Sequence, residues 1–395
     1  MSERIDALAQ AVREAGLDGW LLYDFRRSNP IAHRVLALDP HALFSRRWLY
    51  YIPAHGEPTA LISAVEPHVL GELPGKRHIF QTWNELHALL HATLGDAKRV
   101  AIEYSPNNAI PVCARVDAGT VDLIRSLGVE VVSSANLAQR FEATLSPTQI
   151  DSHREAARRI ITAKDQLFSW IKGQLEADSS LTEYTVQQKF GELTTAQGLI
   201  FEHGHIVAVN AHAGDPHYDT NEAEALPVRK GDLLLVDFTG RLADQDDSII
   251  ADYTFMTFLG AQVPERAATL FGHIVRARDA GLEFLRQRVT AHQPVMGYEV
   301  DDHVRGIIRE AGYATNFVHR TGHNIGSATH GNGANLDNLE THDDRLLLPY
   351  TCCSVEPGIY LADIGVRTEV NVLILDGAIE VTGVPAQTEI LPLLG

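Results

Sequence analysis

Apolar residues in the first third of the chain follow two rhythms. Ile5, Leu8 and Val12 mark one face of a helix that Gly16 is placed to stop. Gly19-Trp-Leu-Leu-Tyr23 is a short unbroken apolar run, which predicts a buried strand. Trp48 to Ile52 and Thr59 to Ile62 flank the turn-forming His55-Gly-Glu-Pro58 and predict a hairpin. Val100 to Glu103 and Val129 to Val132 predict two more strands, with helical patterns between them around Asn84 to Leu94 and Val116 to Leu127. This is the pattern of an α/β domain, and it carries no obvious chemistry.

A boundary is predicted near Thr144-Leu-Ser-Pro-Thr-Gln149. Ser146 can cap a helix, Pro147 suits its first turn and Gln149 can close a capping box. A long amphipathic helix through Ala156, Ile160, Ala163, Leu167 and Ile171 should follow. Two further helices are predicted, one from Pro264 through Leu270, Ile274, Ala277, Gly281 and Leu285, the other from about Val300 through Val304, Ile307 and Ile308. Strand-like runs separate them: Asp232 to Phe238, Ile249 to Phe258, Cys353 to Tyr360 and Glu369 to Leu375. There is no short-period repeat and no low-complexity tract.

With 395 residues, two domains are expected, at 1–145 and 146–395. The formal charge of −18 disfavours a nucleic-acid partner, because an acidic surface repels phosphate backbones, and otherwise serves solubility. Cys113, Cys352 and Cys353 cannot form a disulfide framework, since adjacent cysteines rarely bridge. That predicts a reduced, cytoplasmic protein. The first residues form an amphipathic helix pattern without an apolar signal core, and no run has the length of a membrane span.

Five residues carry the candidate chemistry. Asp237 closes the apolar run Leu233-Leu-Leu-Val-Asp-Phe, and Asp252 lies inside Ile249-Ile-Ala-Asp-Tyr-Thr-Phe. Carboxylates in apolar strands need compensation, and a shared cation would supply it, although a turn or cap would also explain Asp237. His323 lies in His319-Arg-Thr-Gly-His-Asn-Ile-Gly326, where glycines allow close backbone approach, with His330 seven residues on. Glu356 ends an apolar run just before the turn Pro357-Gly358, and Glu369 alternates with Arg367 on an apolar strand pattern, where the plain alternative is a salt bridge between the two, which does not exclude metal binding. Four carboxylates and one imidazole suffice for two adjacent divalent ions, a donor set suited to hydrolysis.

The order Asp, Asp, Gly-His, Glu-Pro-Gly, Arg-x-Glu resembles the pita-bread metallopeptidases, a family that includes prolidase, aminopeptidase P, methionine aminopeptidase and the metal-free creatinase. The match covers about residues 146 to 395. The resemblance implies an α+β protein: a C-terminal pita-bread catalytic domain preceded by a smaller creatinase-like α/β domain. It implies that Asp237 chelates one metal, that Asp252 and Glu369 bridge both, and that His323 and Glu356 complete the second. Manganese suits this set, with cobalt or zinc as alternatives. His217, in Gly214-Asp-Pro-His-Tyr218, resembles the family histidine beside the substrate. His330 stands where the family has a second catalytic histidine, and His319 where proline-specific members have one. Tyr360 and Arg367 match positions that buttress Glu356 and Glu369. Plain surface histidines remain the alternative for His217 and His319.

The activity implied is hydrolysis of the bond before proline in Xaa-Pro dipeptides, with Glu356 as proton shuttle and His330 and His217 as hydrogen-bond donors to the carbonyl. The alternatives are an aminopeptidase P acting on longer Xaa-Pro peptides, or a catalytically silent binding protein on the same fold. The partners implied are short proline-containing peptides and a second copy of the chain in a homodimer, with no nucleic acid and no membrane. Three positions depart from the family. Ile249 stands where a tyrosine is usual, Phe255 where an arginine is usual, and Asn324 where a glycine is common. The stretch Ala243 to Ser248 also lengthens the hairpin between the two aspartates. Weaker support of the metal ligands is the expected consequence.

Overall fold

A computed structural model describes residues 2–394, in two compact units, Met1–Glu142 and Ala143–Gly395. The first unit is a six-stranded mixed sheet with helices on both faces. Its strands run in the spatial order Lys76–Phe80, Thr59–Ser63, Trp48–Pro53, Gly19–Asp24, Arg99–Ile102, Glu130–Ser133. The 19–24 run is unbroken because this strand is covered on both sides. Trp20 and Leu22 share an apolar cluster with Ile5, Leu8 and Val12 of the Ser2–Glu14 helix. Leu21 and Tyr23 share the opposite cluster with Leu86, Leu90 and Leu94 of the Trp83–Leu94 helix. The predicted hairpin forms, with Trp48–Pro53 antiparallel to Thr59–Ser63.

The second unit opens with the predicted capping box. Ser146 Oγ accepts from the Gln149 amide at 3.2 Å, and Gln149 Oε1 accepts from the Ser146 amide at 3.0 Å. The Pro147–Glu176 helix presents Ala156, Ile160, Ala163, Leu167 and Ile171 to Val236, Phe238, Tyr253 and Phe255. These belong to the antiparallel strands Leu233–Leu242 and Ala251–Phe258, with Ile206–Val209 on the other edge of the first. The other face of this sheet, with Leu233, Leu235, Met256 and Phe258, is covered by the helices Glu265–Thr290 and Gly297–Glu310. A second sheet runs in the order Asn324–Ile325, Thr351–Val355, Val370–Leu375, Ala378–Thr382.

Two expectations need correction. The run from Cys353 to Tyr360 is two strands. Thr351–Val355 pairs with 370–375, and Gly358–Tyr360 pairs with Gly365–Arg367, because Pro357 has no amide hydrogen to continue the ladder. Arg367 and Glu369 therefore share no strand: Arg367 closes one hairpin arm, and Glu369 stands just before the next strand.

His153 on the long helix is wholly buried. Its Nδ1 lies 2.7 Å from the Ile250 carbonyl and so donates, while Nε2 lies 2.8 Å from Thr382 Oγ1. Burial, outweighing the Ile250 bond, pushes its pKa down to about 4. The unfolded chain binds this proton below about pH 6.5 and the folded chain does not, so this contribution is constant at neutral pH and is lost as pH falls. At pH 5 the linkage amounts to about 2 kcal/mol. Wild-type Tm is expected to drop between pH 7 and pH 5 by clearly more than that of His153→Gln in scanning calorimetry. Equal drops would refute the assignment.

Candidate metal centre

Residue alternation places Asp237 on the face of its strand away from the long helix. It sits in the middle of 233–242, not at its end, opposite Thr254, while Asp252 lies opposite Thr239. Asp237, Thr239, Asp252 and Thr254 thus share one face. The second sheet brings the other donors. His323 follows Gly322, whose Cβ would meet the Ser354 carbonyl oxygen at 2.0 Å, so only glycine lets the histidine strand come this close. The His323 amide donates to Ser354 Oγ at 2.9 Å, and that hydroxyl donates to Glu356 Oε1 at 3.0 Å. His323 Nε2 stands 3.5 Å from both Asp252 Oδ2 and Glu356 Oε1.

Asp252, His323 and Glu369 are buried, and each offers a ligand atom within 4.8 Å of the others. Burial raises the pKa of Asp252, and it raises that of Glu369 well above the usual carboxylate range, with the Asp252 charge adding to the effect. Asp237 is pushed up to about 7 by burial despite the Arg367 guanidinium beside it. So much buried negative charge within one cluster is unfavourable without a cation, and four carboxylates with one imidazole are the donors that hard divalent ions take. The residues fit a metal centre.

The centre lies at a cavity of about 330 Å³. Asp237, Asp252, His323, Glu356 and Glu369 line it, together with His217, His319, His330 and Arg367. Tyr360 stands behind that wall. Arg367 Nη1 donates to its hydroxyl at 3.2 Å, and the hydroxyl lies 2.7 Å from His319 Nε2. His319 Nδ1 donates to the Arg320 carbonyl at 2.7 Å, and burial lowers its pKa, so the neutral ring accepts from Tyr360. Arg367 forms an ion pair with Asp237 and reaches Glu369 through Thr254, whose hydroxyl accepts from Arg367 Nε at 3.0 Å and donates to Glu369 Oε2 at 2.9 Å.

Two supporting residues were not singled out in the sequence. Asn371 grips Asp252 from both sides, accepting from its amide at 2.8 Å and donating to its carbonyl at 2.6 Å. Glu183, fully buried, accepts from the Val209 and Leu226 amides, Tyr218 Oη and His212 Nδ1, at 2.7 to 2.9 Å for the shortest contact of each. It therefore holds the segment that carries His217. Glu183→Ala leaves these buried donors unmet, at about 1–3 kcal/mol each, and is expected to lower Tm by well over 5 °C, as read by calorimetry. A wild-type Tm in that variant would overturn this account. Neither residue follows an apolar periodicity, which is why pattern reading passes over them.

The departures at Ile249 and Phe255 lie elsewhere. Ile249 is buried among Leu145, Ile150, Ile325 and Leu373. Phe255 stacks on Phe238 with centroids 5.9 Å apart, and Lys164 Nζ lies 4.7 Å above its ring. Neither lines the cavity: Phe255 faces the core under the long helix, where Lys164 stands over its ring, and Ile249 belongs to a separate apolar cluster. The 243–248 stretch is largely exposed and also stays out of the cavity.

A fold of two sheets flanked by helices, with carboxylates and histidines gathered at one cavity, defines a metallohydrolase of the pita-bread type. Residues 151–376 match the model of metallopeptidase family M24, and the chain belongs to that family. The "Probable dipeptidase PepE" of Mycobacterium tuberculosis is 28% identical over 402 residues, covering 99% of this chain and 96% of that one. The "Xaa-Pro dipeptidase" of Pyrococcus furiosus is 24% identical over 266 residues, covering 64% of this chain and 71% of that one. The crystal structure of dipeptidase PepE from Mycobacterium ulcerans superposes with a TM-score of 0.67 at 23% identity, covering 100% of this chain and 98% of that one. The chain is a metallopeptidase, and among the described residues no helix is long and apolar enough to cross a membrane.

Proposed function

We propose that this chain is an Xaa-Pro dipeptidase holding two divalent ions, manganese for preference, on Asp237, Asp252, His323, Glu356 and Glu369. The observation that carries this reading is the buried cluster of Asp252, His323 and Glu369, with Asp237 and Glu356 on the wall of the same cavity. Similarity to a named Xaa-Pro dipeptidase supports the substrate. Two divalent ions at this place supply Lewis acidity, polarising the scissile carbonyl and lowering the pKa of water.

The protein's own groups do the rest. Glu356 carries the proton from the attacking water to the proline nitrogen. That nitrogen is tertiary and leaves only once protonated. His217 and His330, both lining the cavity, donate hydrogen bonds to the carbonyl oxygen as negative charge develops there. The chain Arg367–Tyr360–His319 fixes part of the cavity wall and keeps the His319 ring in one tautomer.

Arg320 favours a two-residue substrate. It lines the cavity, and its guanidinium makes no ion pair among the described residues. A free carboxylate of a dipeptide can reach such a group, whereas a longer peptide has only an amide at that point. Arg320→Ala is expected to raise KM for an Xaa-Pro dipeptide by about 10- to 100-fold, the worth of a charge-assisted hydrogen bond. It should raise KM for the Xaa-Pro amide much less, and equal changes would refute the role.

The deciding experiment is a paired assay after manganese reconstitution, with Ala-Pro and Ala-Pro-Gly. Preference for Ala-Pro supports the reading. Preference for Ala-Pro-Gly replaces it with aminopeptidase P, and cleavage of neither replaces it with a binding protein.

A further inference from the structure

The loop that carries His330 is held by a residue the proposed chemistry does not use. His330 is exposed, and its ring stands edge-on to that of His323, with centroids 4.5 Å apart and planes at 86°. Among the described residues the ring has no hydrogen-bond partner, so its place depends on the backbone of residues 330–335. That segment is clipped to Asn324, the neighbour of His323, at three points, two through its backbone amides and one through the Asn335 side chain. The Gly331 amide donates to the Asn324 carbonyl at 2.8 Å. The Gly333 amide donates to Asn324 Oδ1 at 2.8 Å. The Asn324 amide donates to Asn335 Oδ1 at 2.9 Å. The Asn324 side chain is itself fixed from behind, with Nδ2 donating to the Cys352 carbonyl at 3.0 Å, and the residue is 1% exposed.

The same side chain explains the glycines of this loop. A Cβ on Gly331 would lie 2.2 Å from Asn324 Oδ1, and one on Gly333 would lie 2.6 Å from Asn324 Cγ and Nδ2 and 2.8 Å from the Ala143 Cβ. Real Cβ atoms do not come so close, and the asparagine cannot swing away without losing both side-chain bonds. Neither glycine has a positive φ, so backbone conformation gives no reason for them. Space does.

We propose that Asn324 is a positioning residue for His330: it sets the distance between His330 and the metal-binding His323, Gly331 is glycine because Asn324 fills the volume a side chain would need, and at Gly333 Asn324 shares that role with Ala143. This rests on the reading of His330 as a donor to the substrate carbonyl. A carbonyl bound against His323 is reached only if the second imidazole keeps its place within a few tenths of an ångström.

The test is a double-mutant cycle on the full chain, Asn324→Gly, Gly331→Ala and the two combined. In metal-free protein, Gly331→Ala is expected to lower Tm by several degrees when Asn324 is present and by much less in the Asn324→Gly background. Additive Tm changes would show no steric coupling and would overturn the proposal. In manganese-loaded protein, Asn324→Gly is expected to lower kcat about 10- to 100-fold, with KM within about threefold and metal content unchanged. A wild-type kcat, or loss of metal in step with activity, would reduce Asn324 to scaffold. A crystal structure of Asn324→Gly gives a readout independent of turnover. Retention of the 4.5 Å ring separation would also overturn the positioning role. If wild-type protein cleaves no peptide, the function reading falls while the Tm cycle and this structure still decide the role of Asn324.

Discussion

His330→Ala is expected to lower kcat by about 10²- to 10⁴-fold with both metal ions still bound, whereas His323→Ala is expected to lose metal. The two imidazoles are in ring contact, yet their surroundings differ. His323 Nε2 points between Asp252 and Glu356, at 3.5 Å from each, which is the arrangement of a donor to a cation shared with those carboxylates. His330 stands at the solvent side of that ring and makes no ion pair with a carboxylate among the described residues. Steady-state kinetics with metal analysis on the same preparations separates the two. Equal metal content in the two variants would show that the roles are misassigned.

Removal of metal is expected to abolish turnover and to lower stability together. The cluster gathers Asp237, Asp252 and Glu369, whose carboxyls burial holds above their usual range, and no lysine among the described residues is paired with them. An ion that binds the folded chain at a thousand times its Kd adds about 4 kcal/mol. For a unit of this size that is a Tm shift of about 8 °C or more per ion. Chelator-treated protein should therefore melt earlier and be inactive. Manganese should restore both properties, and full activity in metal-free protein would sink the metal reading.

Much of this was legible in the sequence because the ligands stand where a regular pattern breaks. Asp252 interrupts an apolar strand, Glu356 precedes a Pro-Gly turn, and His323 sits between glycines. The Ser146 cap fixed the start of the long helix because capping chemistry is local. What escaped depends on contacts between distant segments. Glu183 begins the helix Glu183–Ala196, whose apolar face is little more than Val186, Phe190 and Leu193, too sparse to register as a period. Asn371 looks like a polar interruption in a strand until Asp252, 119 residues away, is placed beside it. Phe255 misleads for the opposite reason. Its position along the strand is as expected, but residue alternation turns it away from Asp252 and Thr254.

The ligand set is divided between two sheets: Asp237 and Asp252 on one, His323, Glu356 and Glu369 at the margins of the other. The bonds that stitch the seam include Asn371 to the Asp252 backbone, Thr254 to Glu369, the Tyr253 hydroxyl to Thr382 Oγ1 at 2.8 Å, and the Ile250 amide to the Gly326 carbonyl at 2.9 Å, fewer than the ladder bonds within either sheet. A seam of this kind can gape by an ångström while every helix stays wound, and carboxylates on opposite banks then no longer share a cation. Heat inactivation should accordingly run ahead of the loss of helical signal, with bound metal acting as the rivet that keeps the two events together.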